Sequence, residues 1–140
     1  TIQDFKLSLK YTWLCSLNGN KKCIKKIDKV KDKLIDEDIN DVAKKIETML
    51  ESKYVDSTDS NAAFKLAYWY EKFSPEIDLE KSYLWYSVSV SSGSYKAMKL
   101  RDRVGNLIEK EVLAELQKQA FDIFTKQKYL TEQNNTGDEL

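Results

Sequence analysis

Apolar residues recur at helical spacing along nearly the whole chain, and polar punctuation cuts the pattern into seven segments. Residues 3–17 turn Phe5, Leu9, Leu14 and Leu17 toward a core, with Tyr11 and Trp13 adding aromatic bulk. Asn18-Gly19 ends that segment, because glycine accepts the left-handed conformation that closes a helix. Residues 20–34 align Cys23, Ile24, Ile27, Val30 and Leu34 on one stripe. Residues 36–53 do the same with Ile39, Val42, Ala43, Ile46, Met49 and Leu50, and Asp36, Glu37 and Asp38 suit the dipole of the first turn. The polar stretch 56–60 breaks the pattern, with Ser60 or Asn61 capping the fourth segment. Residues 61–73 bury Ala62, Leu66, Ala67 and Tyr70, and Ser74-Pro75 stops them. Residues 78–91 carry Leu79, Trp85, Tyr86, Ser89 and Val90. Residues 94–107 carry Ala97, Met98, Val104 and Leu107. Residues 109–127 carry Val112, Leu113, Leu116, Ala120, Ile123 and Phe124. The alternation Ser87-Val88-Ser89-Val90 is the longest strand-like signal, and the helical frame around it outweighs it.

The pattern also repeats at a fixed offset. Asp4, Tyr11, Gly19 and Cys23 match Asp78, Trp85, Gly93 and Ala97. Small and aromatic residues recurring in this way mark stacked helical hairpins. The expected domain spans 1–128, with a degenerate half over 3–54 and a better-matched half over 60–128. Residues 129–140 read as a flexible polar tail. The first half begins with only the second helix of a hairpin. Its exposed face therefore needs cover from the helix at 36–53, from a segment upstream or from a second subunit, and a homodimer is one expectation.

The run Asp78-x-x-Lys81-Ser82-x-x-Trp85-Tyr86-x-x-Ser89-Val90-x-x-Gly93-x-x-x-Ala97 resembles the Sel-one-like repeat, a relative of the tetratricopeptide repeat. The family usually has alanine where Ser82, Ser89 and Val90 stand. It usually has glycine where Ala67 and Phe73 stand, so the loop before Asp78 departs from type. Arg101-Asp102-Arg103-Val104, Leu107 and the charged helix from Glu109 are similar to the closing repeat and capping helix of such arrays. The resemblance is good over 61–124 and faint over 4–50. It implies an all-α solenoid of about seven helices that binds another protein and needs no cofactor.

Cys15 and Cys23 flank Asn18-Gly19-Asn20 and so fall on opposite arms of a helical hairpin, within reach of a disulfide. A Cys-x7-Cys hairpin also resembles the secreted, cysteine-rich branch of the same family. Two readings are open. A disulfide closing so short a loop stabilises by roughly 2–3 kcal/mol and persists outside the reducing cytoplasm, which places the chain in a periplasm or a secreted fraction. Two buried thiols standing for alanine would instead suit a cytoplasmic protein. The disulfide is the expectation carried forward. The chain starts at Thr1 without a methionine, as after removal of a leader or in an excerpt.

Composition narrows the function. The chain has 140 residues, 23 basic and 23 acidic, so net charge makes no case for nucleic acid. No apolar run approaches the roughly 18 residues of a membrane span. There is no histidine, which removes the commonest general base and every Ser-His or Cys-His pair. Two cysteines without histidine fall short of a metal set. Four scattered glycines form no phosphate loop. The carboxylates at 36–41 and 109–115 suit helix starts better than paired acid–base work. Seven lysines at 21–33 face two aspartates; a solvated face is the plain reading and an acidic partner the alternative. Two terminal patterns are discounted: Asn134-Asn135-Thr136 matches a glycosylation sequon that matters only in a eukaryotic secretory protein, and Asp138-Glu139-Leu140 resembles a retrieval signal in which Gly137 replaces the usual lysine or histidine.

Aromatics and arginine are the usual anchors of protein interfaces. Off the core stripes, Tyr68, Trp69, Lys72, Tyr95, Lys99 and Arg103 form the expected partner-binding patch, with packing against adjacent helices the alternative for its aromatics and equally open for Trp69. The resemblance extends to short exported bacterial immunity proteins, which block a toxic effector by occupying its active site. The expected function is therefore a non-enzymatic, exported binding module of that kind. An envelope or secreted adaptor with several partners is the alternative, and an enzyme with an unfamiliar carboxylate site is the third reading.

Overall fold

The structure, a computed structural model, describes the backbone of residues 1–138 and the side chains of residues 1–133. Among the described residues, seven helices follow one another: α1 (Ile2–Leu17), α2 (Lys21–Lys31), α3 (Asp36–Ser57), α4 (Ser60–Lys72), α5 (Leu79–Ser91), α6 (Ala97–Gly105) and α7 (Lys110–Asp138). No strand occurs among the described residues, and Ser87–Val90 lies within α5. Helix α7 continues through the stretch read as a tail from 129 as far as Asp138. The side chains of the 134–136 sequon and of Asp138, and residues 139 and 140 entirely, lie outside the described residues.

The helix starts have physical causes. Thr1 and Asp4 form a reciprocal capping box at α1. Asn20, Asp59 and Asp78 cap α2, α4 and α5 by accepting from the main-chain N–H of Cys23, Asn61 and Lys81. Asp59 therefore takes the role expected of Ser60 or Asn61. Helix α3 has no side-chain cap and relies on Asp36, Glu37 and Asp38.

The repeat match is closest at the turns. Asn18 (φ −87°, ψ 3°) and Ser92 (φ −89°, ψ 4°) end α1 and α5 in the same conformation. Gly19 and Gly93 then turn left-handed, at φ +85° and +108°. The match weakens away from the turn. Asp78 is the cap residue of α5, whereas Asp4 lies inside the first turn of α1.

Helix α5 is the centre of the packing, against α4, α6 and α7. Ser82, Tyr83, Trp85, Tyr86, Ser87, Val88 and Ser89 are all buried on it. Its serines do more than save space. Ser82 Oγ donates to the carbonyl of Ala67 (2.9 Å) and Ser89 Oγ to that of Ser60 (2.8 Å), tying α5 to the main chain of α4. Gly105 lets α6 approach, since a Cβ there would stand 3.0 Å from the Tyr83 ring.

Helix α1 packs on α2 and α3 and touches α4. It buries Leu9, Trp13, Ser16 and Leu17, a stripe at helical spacing. Trp13 meets Trp69 edge to face, with centroids 4.7 Å apart. Phe5 and Tyr11, expected inside, are exposed, as are Met49, Met98 and Leu107. Tyr11 is 61% exposed where its counterpart Trp85 is 9%, because Trp85 packs against Tyr54 and no described element covers Tyr11 in that way. One hydrophobic cluster runs from Leu9 in α1 to Ala120 in α7. Beyond it, Gln127 of α7 donates to the carbonyl of Val55, and the hydroxyls of Thr131 and Thr58 lie 3.1 Å apart.

Candidate functional site

Helices α4 and α6 meet across a buried carboxylate. Ala63, Ala67 and Glu71 recur every fourth residue, so Glu71 sits on the small-residue stripe of α4 that faces α5. It is only 9% exposed. A charge so placed is costly unless it is paired and hydrogen-bonded, and Glu71 is both. The Tyr86 hydroxyl donates to Oε1 at 2.8 Å, and Arg103 Nη2 of α6 donates to Oε2. Lys72 Nζ stands 3.9 Å from the same oxygen. Burial, the hydrogen bond to Glu71 and the charge of Glu71 push the Tyr86 phenol well above its ordinary value, so it remains a neutral donor.

Around this carboxylate the surface is aromatic and basic. Phe64 packs edge-on to Tyr86 (5.7 Å) and obliquely to Tyr68 (6.5 Å). Tyr68 packs edge-on to Phe73 (5.0 Å). The Lys96 ammonium stands 4.4 Å from the Phe64 ring centre, a cation–π geometry. Arg103 keeps about half of its side chain exposed while Glu71 holds its guanidinium.

The six residues expected at a partner face divide accordingly. Lys72 and Arg103 are brought together at Glu71, while Tyr68 packs with Phe64 and Phe73. Tyr95 and Lys99 are exposed on the α6 side, Tyr95 at 79%. Trp69 corrects the expectation. It is fully buried, edge to face with Trp13, and its indole N–H donates to Glu47 Oε2 at 2.9 Å. Tyr70 donates to Glu47 Oε1 at 3.2 Å, and its phenol is raised by burial first and by Glu47 next. Trp69 is thus a core residue linking α1, α3 and α4. Glu71, Phe73 and Lys96 belong to the face and were not read from the sequence as part of it. The every-fourth-residue run of Ala63, Ala67 and Glu71 is the one local sign of Glu71.

Cys15 and Cys23 lie at bonding distance, with sulfurs 1.98 Å and Cα atoms 5.9 Å apart, and join α1 to α2. Among the described residues, no three His, Cys, Asp or Glu side chains are grouped to hold a metal ion, and no helix is long and apolar enough to cross a membrane. Glu71 and Glu47 are each engaged by two hydrogen-bond donors. The face offers binding chemistry: aromatic surface, fixed cations and one recessed anion that positions a guanidinium. Compared with known proteins, the chain matches no family model, no curated protein and no solved structure.

Proposed function

We propose that this chain is a non-enzymatic protein-binding module, built as a Sel-one-like solenoid with α7 as its capping helix, whose partner docks on the α4–α6 face. Within that class, we read it as an exported bacterial immunity protein that silences a toxic effector by covering its active site. The observation that carries the reading is Arg103, held half-exposed by Glu71, whose other donor Tyr86 packs against Phe64. Binding ordinarily costs the ordering of long side chains, and an arginine already fixed by a buried carboxylate meets less of that cost. Tyrosine and arginine are also the residue types that dominate interface energies. The Cys15–Cys23 bond supports the exported location, since disulfides persist outside the reducing cytoplasm.

An adaptor with several partners is the second reading, favoured by a separate lysine-rich surface on α2. The two readings part in one experiment. The chain is used as bait in an extract of its source cell at physiological salt, beside a Tyr95→Ala/Lys99→Glu variant. Both residues are exposed, so the variant keeps the fold. The immunity reading expects one stoichiometric partner, weakened in the variant, whose toxic activity stops when the chain is added. Several weak partners select the adaptor. A partner retained equally by the variant, or none, defeats the face.

A further inference from the structure

We propose that α2 and the turn that follows it form a second docking surface, made for an acidic protein face, and that Lys21, Lys22, Lys25, Lys26, Lys29 and Lys33 form its contact ridge. The first observation is charge separation. Residues 1–34 hold nine lysines against Asp4, Asp28 and Asp32, a net +6, and the rest of this neutral chain carries −6. All six ridge lysines are exposed. Among the described residues, no carboxylate lies within ion-pair distance of any of them.

The second observation is that the N-terminal part of this arrangement works against the helix that carries it, although Lys29 suits the last turn. Lys21 and Lys22 occupy the first turn of α2, which holds no acidic residue; positive charge is unfavourable at that end of a helix. Lys21 and Lys25, Lys22 and Lys26, and Lys25 and Lys29 are like charges four residues apart, which repel on a helix surface. Helix α2 has little packing of its own to offset this, since Ile27 is its one buried residue. Charges placed against the local rules of folding are expected where function requires them. A carboxylate-rich surface would relieve both conflicts, by neutralising the lysines and by meeting the positive end of the helix.

The ridge suits a compact acidic protein face better than a phosphate polymer or a membrane. It contains no arginine, the residue favoured for bidentate phosphate recognition. Asp36, Glu37 and Asp38 begin α3 just past it and would repel a polyanion tracking onward. Its apolar stripe, Cys23, Ile24, Ile27 and Val30, faces inward and has little to insert in lipid. The ridge shares no residue with the α4–α6 face and stands whether or not that face binds.

The test uses a labelled poly-L-glutamate peptide of about twenty residues, with fluorescence anisotropy at low and at physiological salt. Lys21→Glu/Lys22→Glu places acid in the first turn and converts two repulsive pairs into Glu–Lys pairs, so its melting temperature should match or exceed the wild type's. We expect wild type to bind, with affinity falling as salt rises. The variant should bind at least about tenfold more weakly, and Lys118→Glu/Lys126→Glu on α7, with the same net charge, should bind as wild type does. The proposal is overturned by no binding of the peptide, by unchanged affinity in the α2 variant, or by an equal loss in the α7 control. Tighter binding to a duplex oligonucleotide or to phosphatidylserine vesicles would overturn it as well.

Discussion

The hairpins α1–α2 and α5–α6 turn alike and are held by different means. Their turns agree to within a degree or two at Asn18 and Ser92, and each is followed by a left-handed glycine. Beyond the turns they diverge. Helix α5 is buried on nearly every side, and Ser89, where α1 has Cys15, hydrogen-bonds to the main chain of α4. Helix α1 buries one stripe, and α2 buries little more than Ile27. There the covalent bond from Cys15 to Cys23 stands where the other hairpin has neighbours. A shared local motif thus says how the chain turns. The number of layers around it decides whether packing alone suffices or a staple is needed.

The largest test of this contrast is Tyr86→Ala. It removes a fully buried ring from α5 and leaves Glu71 without one donor, so a loss of about 3–5 kcal/mol is expected in chemical denaturation. Tyr86→Phe should lose about 1–3 kcal/mol, the cost of one buried, charge-assisted hydrogen bond. A similar loss for the two variants would mean that the hydrogen bond, not the packing, holds α5.

Next comes the staple. Cys15→Ser/Cys23→Ser should lower stability by roughly 2–3 kcal/mol. Hydrogen exchange should locate the change, with α2 amides exchanging faster and α5 amides unchanged. Uniform loosening across the molecule would remove the distinction between the two hairpins.

The turns themselves predict equality. Gly19→Ala and Gly93→Ala each force a side chain into the left-handed region, and a Cβ meets open space at both. Each should cost about 1–2 kcal/mol. Unequal melting shifts would show that the turns are alike in shape but not in energy.

The smallest effect lies on α3, between the hairpins. Burial first, and the charge of Glu47 next, raise the Glu51 carboxyl above its ordinary 4.5, with Lys81 opposing. The folded state therefore holds this proton more tightly than the unfolded chain does. That contribution favours folding in acid and is lost as pH rises through the raised value. Glu51→Gln should gain up to about 0.5 kcal/mol at neutral pH, a small figure because solvent screens the site. The gain should close below about pH 4. A gain that persists in acid would assign the effect to packing instead.

By itself the sequence determined the seven helices, their glycine turns and the reach of Cys15 to Cys23, because each depends on residues within a few positions of one another. Period and punctuation are local, so they survive without a partner. It did not determine which aromatics point inward. Tyr11 and Trp85 occupy equal repeat positions and differ in exposure because only Trp85 has Tyr54 beside it. Its helical position left Trp69 open between surface and core, and Trp13 of α1 and Glu47 of α3 enclose it from elements distant in the chain. The same reason hid the centre of the candidate face. Glu71 is tolerable in the interior only because Tyr86 and Arg103, 15 and 32 residues away, arrive to pair with it. Burying a charge is decided by the groups that surround it, and only the tertiary structure brings those groups together.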